Sequence, residues 1–298
     1  MNLLIACHSI VHTAGSELYH FELCRELSKH IPNITLATQF DFSTEATYSK
    51  YYSLVNQLIK CGVKLTTLDK LSPNEKFDLI VASQPFVNNF LCSLYPTTPK
   101  ISIIHSPYRS EDPIYHESIK HYIAVDVFIL KYLKNEMGIP VNKIDLIFNG
   151  IDFDKFNIKH KRSLERTTGV FIGGWDDPLR NKMFNHISEF CNQNDWDLFV
   201  IGSPYPDNTK SPNIKFFTGI YNTEIFTSAA DFTVGLGGRT TIEGWRFGIP
   251  SYIYTVNKHG DIMDVNLKYP PKMERFDIKN VAEQHIKLYK QIINENNI

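Results

Sequence analysis

Three glycines, a cation and a carboxylate stand within nine residues in Gly235-Leu236-Gly237-Gly238-Arg239-Thr240-Thr241-Ile242-Glu243. Glycines let a bulky anion reach backbone amides at a helix N-terminus, and Arg239, Thr240 and Thr241 add donors suited to phosphate oxygens. Glu243 lies about one helical turn beyond Arg239, a distance at which a carboxylate accepts bonds from ribose hydroxyls. A glycine turn before a surface helix would use the same letters, but here glycine, cation and carboxylate all serve one ligand. A second loop, Gly173 to Lys182, places Arg180 and Lys182 at the mouth of a helix, where two cations can neutralise a diphosphate. A solvated basic pair beside Asp176 and Asp177 is its plainer reading. His105 follows the apolar run KISII, a strand end that faces the cleft of a doubly wound domain, and catalytic and structural roles are equally open there. Ala14-Gly15-Ser16-Glu17 offers a small-residue approach for a phosphate or sugar, and also fits an ordinary N-cap with an acidic first turn.

These loops need elements to hold them. Leu3 to Cys7 reads as a buried strand, and Ser16 as the N-cap of a helix marked by Leu18, Phe21, Leu23, Cys24 and Leu27. Strand Ile34 to Thr38 and a helix from Thr47 to Cys61 follow, the latter closed by Gly62. Strands Phe77 to Ala82, Lys100 to Ile104, Tyr122 to Val125 and Ile144 to Phe148 alternate with helices Pro85 to Tyr95 and Val127 to Met137. Continuous apolar strands separated by helices predict a parallel sheet covered on both faces. The polar stretch Asn149 to Arg166 interrupts this rhythm and reads as a boundary. Beyond it the rhythm restarts, with strands Thr168 to Gly173, Asp197 to Ile201, Ile214 to Phe217, Phe232 to Val234 and Ser251 to Tyr254. Helices Lys182 to Cys191, Thr223 to Ala230 and Arg239 to Phe247 separate them, and Ile278 to Asn294 forms a final amphipathic helix. The expectation is two α/β halves, residues 1–155 and 156–276, with 277–298 packing back on the first.

Composition narrows the partners. The charge balance of 31 basic against 32 acidic residues argues against a general nucleic-acid binder. Cys7, Cys24, Cys61, Cys92 and Cys191 form no CxxC pair, so buried free thiols in a reducing compartment are expected, with neither zinc ribbon nor disulfide framework. The opening MNLLIACHSI lacks a basic leader, and Tyr122 to Leu130 is interrupted by Asp126, so a cytoplasmic protein is expected. The basic run Lys155 to Arg166 reads first as a solvated linker and second as a peripheral membrane contact.

In their order, these loops resemble the retaining GT-B glycosyltransferases of carbohydrate-active family 4, the group 1 glycosyl transferases. TAGSE at 13–17 is similar to that family's Gly-Gly-x-Glu loop, and the His105 segment to its cleft histidine. FNGIDFDKF at 148–156 resembles the interdomain N-G-[VI]-D-x-x-x-F stretch, the most specific of the five matches. FIGGWDDPLRNK resembles the F-V-G-R-L-x-x-x-K-[GN] loop, and RTTIEGWRFGIPSYIY the donor-binding helix, with Glu243, Gly248 and Pro250 in place.

The resemblance implies an α/β GT-B fold, two Rossmann-like domains with parallel sheets facing a central cleft. It implies transfer of a sugar from a UDP- or GDP-linked donor to a hydroxyl of a glycan, lipid-linked or small-molecule acceptor, as in surface polysaccharide synthesis. No cofactor and no metal are expected. Gly15 would approach the donor diphosphate or the transferred sugar, and His105 would contact the sugar near the reacting centre. Arg180 would bind the diphosphate, with Lys182 or Arg239 as replacements; Gly173, Gly238 and Arg239 would line it, with Thr240 as a further donor, and Glu243 would hold the ribose. Asp152-Phe153-Asp154 is formally a D-x-D but falls within the interdomain match, which disfavours a metal-dependent GT-A enzyme. The chain departs from the family at Gly235, where its first glutamate stands, and at Gly174, where its arginine stands. Those departures motivate one rival, a non-catalytic GT-B subunit or sugar-binding module; the nearest enzymatic rival is a GT-B-type nucleotide-sugar epimerase or hydrolase.

Overall fold

The computed structural model describes residues 1–10, 15–39, 54–105, 113–157, 164–173, 178–202, 212–217, 222–235, 238–256, 262–265 and 272–296. Its first half builds one parallel sheet from β1 (Asn2–Cys7), β2 (Asn33–Thr38), β3 (Lys64–Thr67), β4 (Leu79–Ser83), β5 (Lys100–Ile104), β6 (Ile119–Ala124) and β7 (Ile144–Leu146). Between them run α1 (Gly15–Leu27), α2 (54–60), α3 (Pro85–Leu94) and α4 (Val127–Asn135). The strand order is β3-β2-β1-β4-β5-β6-β7. Central strands are buried along their length, as helices on both faces of a parallel sheet require: β4 and β5 show no open position.

The second half restarts the pattern with β8 (Thr168–Ile172), α5 (Pro178–Gln193), β9 (Asp197–Ile201), β10 (Ile214–Phe217), α6 (Thr223–Ala229), β11 (Phe232–Gly235), α7 (Arg239–Phe247), β12 (Ser251–Val256) and β13 (Ile262–Val265). Its sheet runs β10-β9-β8-β11-β12-β13, with only β13 antiparallel among these pairings. Aromatic rings fill its core: Phe190 meets Trp196 at 5.5 Å and Trp196 meets Phe232 at 5.1 Å, separations at which aromatic pairs attract. The last helix, α8 (Ile278–Asn296), buries Ile278, Val281, Ala282, His285, Leu288, Tyr289 and Ile292.

Two compact units result. One comprises Met1–His12, Ser16–Gly150 and Ile278–Ile298; the other comprises Ile151–Asp277 together with Thr13–Gly15. The change of unit falls after Gly150, inside the polar stretch Asn149 to Arg166. Among the described residues no helix is long and apolar enough to cross a membrane.

Most elements sit where the hydrophobic pattern places them, with two differences. β3 and β13 lack the long apolar runs of the central strands: β3 is a short edge strand of sequence KLTT with one buried residue, and β13 is the antiparallel edge IMDV. Ser16 lies inside α1, which already begins at Gly15. Residues 47–53 of the helix expected over 47–61 lie outside the described residues, and 54–60 are helical.

Candidate active site

A parallel sheet binds ligands at the carboxyl ends of its strands, where neighbouring strands lead their connections in opposite directions. In the C-terminal unit that point lies between β8 and β11, which pair side by side with Val234 opposite Phe171. The loops leaving these two strands are the two glycine-containing loops singled out above. Gly174 to Asp177, Leu236 and Gly237 lie outside the described residues.

What is described there is closely fitted backbone. Gly238 caps α7 with φ 72° and ψ −144°, a conformation that excludes side-chain-bearing residues and turns the chain directly into the helix. The Thr240 hydroxyl then donates to the Ile172 carbonyl at 3.3 Å, which ties the first turn of α7 to the end of β8. On the other side of β8, the Gly173 amide donates to Ile201 at 2.9 Å. Gly202, which the sequence reading passed over, lies so close that a Cβ there would stand 1.8 Å from the Gly173 oxygen. The amino end of a helix presents backbone N–H groups and the positive end of its dipole, so the start of α7 suits this end of the sheet to an anion.

Glu243 anchors the same helix. Its carboxylate is 1% exposed; Oε1 accepts from Arg239 Nε at 2.8 Å and Oε2 from the Thr223 hydroxyl at 3.1 Å. Arg239 is itself buried and lies one turn before its partner, so its charge is balanced within α7 and its backbone is what faces the loop. The far end of α7 is gripped by the linker: Phe156 packs on Phe247 at 5.7 Å, and Arg246 lies 4.5 Å over the Phe153 ring while donating to Asn157 at 3.0 Å. The interdomain motif therefore has a structural task, holding α7. Arg180 falls in the first turn of α5, and Lys182 is exposed on its second.

In the N-terminal unit the reversal lies between β1 and β4. Gln84, directly after β4, adopts φ 65° and ψ 142° ahead of Pro85, and its side chain accepts from the His8 amide at 3.0 Å. A positive φ on a glutamine costs on the order of 1–3 kcal/mol, and such strain gathers at functional sites. One strand over, His105 Nε2 lies 3.3 Å from Ser83 Oγ, which lies 2.9 Å from His20 Nε2. His20 Nδ1 is 2.7 Å from the Ser16 carbonyl. Tyr19 closes the group: its ring stands 5.4 Å from His105, and its hydroxyl is 2.6 Å from His285 Nε2 on α8. Tyr289 then lies 2.9 Å from His285 Nδ1. Burial keeps all three imidazoles neutral, with His20 pushed down to about 4, His285 to about 3 and His105 well below its ordinary value. Sequence reasoning found His105 alone. The available signal was a histidine inside α1 between Tyr19 and Phe21, on a helix buried from Glu17 through Cys24.

Gly173, Gly238, Arg239, Thr240 and Glu243 are thus gathered at one end of one sheet, with Arg180 and Lys182 on the adjoining helix. His105 belongs to the other unit, and Gly15 opens α1 and is exposed. Ala14 and Ser106 to Arg109 lie outside the described residues, as do residues 158–163 of the basic run.

No protein-family model matches the sequence, and no curated protein is similar to it in sequence. The fold does have solved counterparts. HepE of Anabaena, solved with UDP, superposes with a TM-score of 0.67 at 12% identity over 98% of this chain and 100% of its own. A glycosyltransferase from Rickettsia africae gives 0.67 at 14% identity, covering 98% of both chains. UDP-GlcNAc 2-epimerase from Neisseria meningitidis, bound to UDP-GlcNAc, gives 0.57 at 12% identity over 98% of this chain and 93% of its own. With two predominantly parallel Rossmann-like sheets in one chain and these matches along nearly its whole length, the protein has the GT-B fold.

Proposed function

We propose that this protein is a glycosyltransferase that moves a sugar from a UDP- or GDP-linked donor to an acceptor hydroxyl, without a bound metal. The observation that carries the reading is α7: its glycine-capped N-terminus is tied to the end of β8 at the point where the C-terminal sheet reverses. A diphosphate there meets backbone amides of Gly238 and Arg239, with Arg180 and Lys182 supplying positive charge from α5. Negative charge on the departing diphosphate is stabilised most by donors already in place, which is how such a loop accelerates transfer. Glu243, which braces the helix through Arg239 and Thr223, is the carboxylate that would hold the ribose. In the N-terminal unit, His105 is the group that meets a sugar hydroxyl. The likeness in fold to HepE, solved with UDP, supports the same reading, and surface polysaccharide or other glycan synthesis is the setting it suits.

The test is a thermal-shift and calorimetric panel of nucleotides and nucleotide sugars. A ligand at about 100 times its Kd stabilises by about 2.7 kcal/mol, which registers as a shift of a few degrees. UDP or GDP should give that shift; no response to any nucleotide at millimolar concentration would end the proposal.

A second reading is favoured by the likeness to the Neisseria epimerase and by glycine at 235. In it the protein isomerises or hydrolyses the donor with no acceptor. Proton NMR of a donor incubated alone with the enzyme separates the two, since only the second reading yields an altered sugar under those conditions.

A further inference from the structure

Three hydrogen bonds in the N-terminal unit form a chain whose direction is fixed at one end. The Ser16 carbonyl has no proton to give, so the neutral His20 ring carries its proton on Nδ1 and donates it at 2.7 Å. His20 Nε2 is then a bare lone pair, and the Ser83 hydroxyl at 2.9 Å must donate to it. With its single proton so used, Ser83 Oγ can only accept from His105 Nε2 at 3.3 Å. The proton of His105 therefore sits on Nε2. Its Nδ1 is left as an acceptor, shut off from solvent and without a hydrogen-bond partner among the described residues.

We propose that Ser83 and His20 are positioning residues, which hold His105 as its Nε2–H tautomer and reserve its Nδ1 lone pair for a sugar hydroxyl. The proposal rests on the transferase reading only for the identity of that hydroxyl; the tautomer follows from the hydrogen-bond chain alone. A buried acceptor with no partner is costly unless something supplies a donor, and such groups in native proteins mark sites of function. The surroundings oppose the alternative of a doubly protonated ring. His20 packs 5.2 Å from His105 and Tyr19 packs 5.4 Å from it, and burial disfavours a charge there. No carboxylate is hydrogen-bonded to His105 among the described residues, so its tautomer is set by a serine and a second histidine.

The decisive measurement is a two-bond proton–nitrogen NMR spectrum of the full-length protein labelled with 15N-histidine, at pH 7.5. The expected pattern is His20 protonated on Nδ1 and His105 on Nε2, with His20→Gln and His105→Gln identifying the signals. A His105 ring protonated on Nδ1, or on both nitrogens, overturns the proposal. Ser83→Ala should convert His105 to a mixture of tautomers while His20 keeps its proton on Nδ1; Ser83→Thr should restore the wild-type pattern. Turnover of a nucleotide sugar should fall about tenfold or more in Ser83→Ala, as it does when imidazole-orienting groups are removed, with KM for the donor little changed and recovery in Ser83→Thr. A Ser83→Ala protein with wild-type tautomers and turnover would also overturn it. Should the protein turn over no nucleotide sugar, the functional reading fails, while the NMR pattern still decides the hydrogen-bond chain.

Discussion

Glu243 braces α7 and is also the proposed contact to ribose, and two different measurements report on the two roles. Glu243→Ala removes the partner of a buried arginine, and breaking a buried pair from one side typically costs about 3–5 kcal/mol. Chemical denaturation should show a loss of that order, alongside a steep loss of nucleotide affinity in calorimetry. Full stability would sink the bracing role, and unchanged affinity the proposed contact with ribose. Gly238 offers a cleaner probe, since its φ of 72° with ψ of −144° suits glycine alone and it caps the N-terminus of α7, where the diphosphate is proposed to bind. Gly238→Ala should cost about 1–3 kcal/mol of stability and weaken UDP or GDP binding at least as much as it destabilises the fold. Gly202 is constrained by its neighbour, because a methyl group there would collide with the Gly173 carbonyl. Gly202→Ala should therefore push the β8 loop away and reduce nucleotide affinity, a change read by titration.

Helices α1 and α8 and the ends of β4 and β5 meet around three neutral imidazoles, and this junction predicts sensitivity to acid. Each of these histidines titrates lower when folded than the ordinary value near 6.5. Below about pH 6.5 the unfolded chain thus binds more protons than the native one, so stability falls as pH falls and is fully present above that value. Between pH 7.5 and 5.5 the loss should be roughly 1 kcal/mol per histidine, measured by urea titration. A flat profile would show that these rings are not held neutral. The same junction marks where sequence reading stopped. Continuous apolar runs such as LIVA in β4 and KISII in β5 reveal buried parallel strands, and glycines beside Arg239 and Glu243 mark the loop proposed to bind an anion. Ser83 and His20 gave no comparable signal. They lie 63 residues apart, and only the pairing of β4 and the seating of α1 bring them to 2.9 Å. Their meaning resides in a hydrogen-bond direction, which no local pattern of letters encodes. Edge strands β3 and β13 escaped notice for a different reason: half-exposed or short segments are not obliged to be apolar throughout.

At the scale of the molecule, the first unit is discontinuous and owes its completion to α8. That helix seats Ile278, Val281, Leu288, Tyr289 and Ile292 in buried positions, each contributing about 1.5–3 kcal/mol. The sum rivals the whole stability of an ordinary domain. A chain ending at Asp277 should consequently lose the N-terminal unit while keeping the C-terminal one, visible in limited proteolysis as protection confined to fragments within 151–277. Equal protection of both units would refute this assignment of α8. The interruption also fixes an order of events during synthesis. Once Gly150 has left the ribosome, the Ile151–Asp277 unit must be translated before α8 exists. At typical elongation rates of about 5–20 residues per second, roughly 7–30 s separate the making of β7 from the making of its missing helix. For that interval the nascent first unit exposes the apolar surface that α8 will cover, so newborn chains should depend on chaperones far more than the finished protein does.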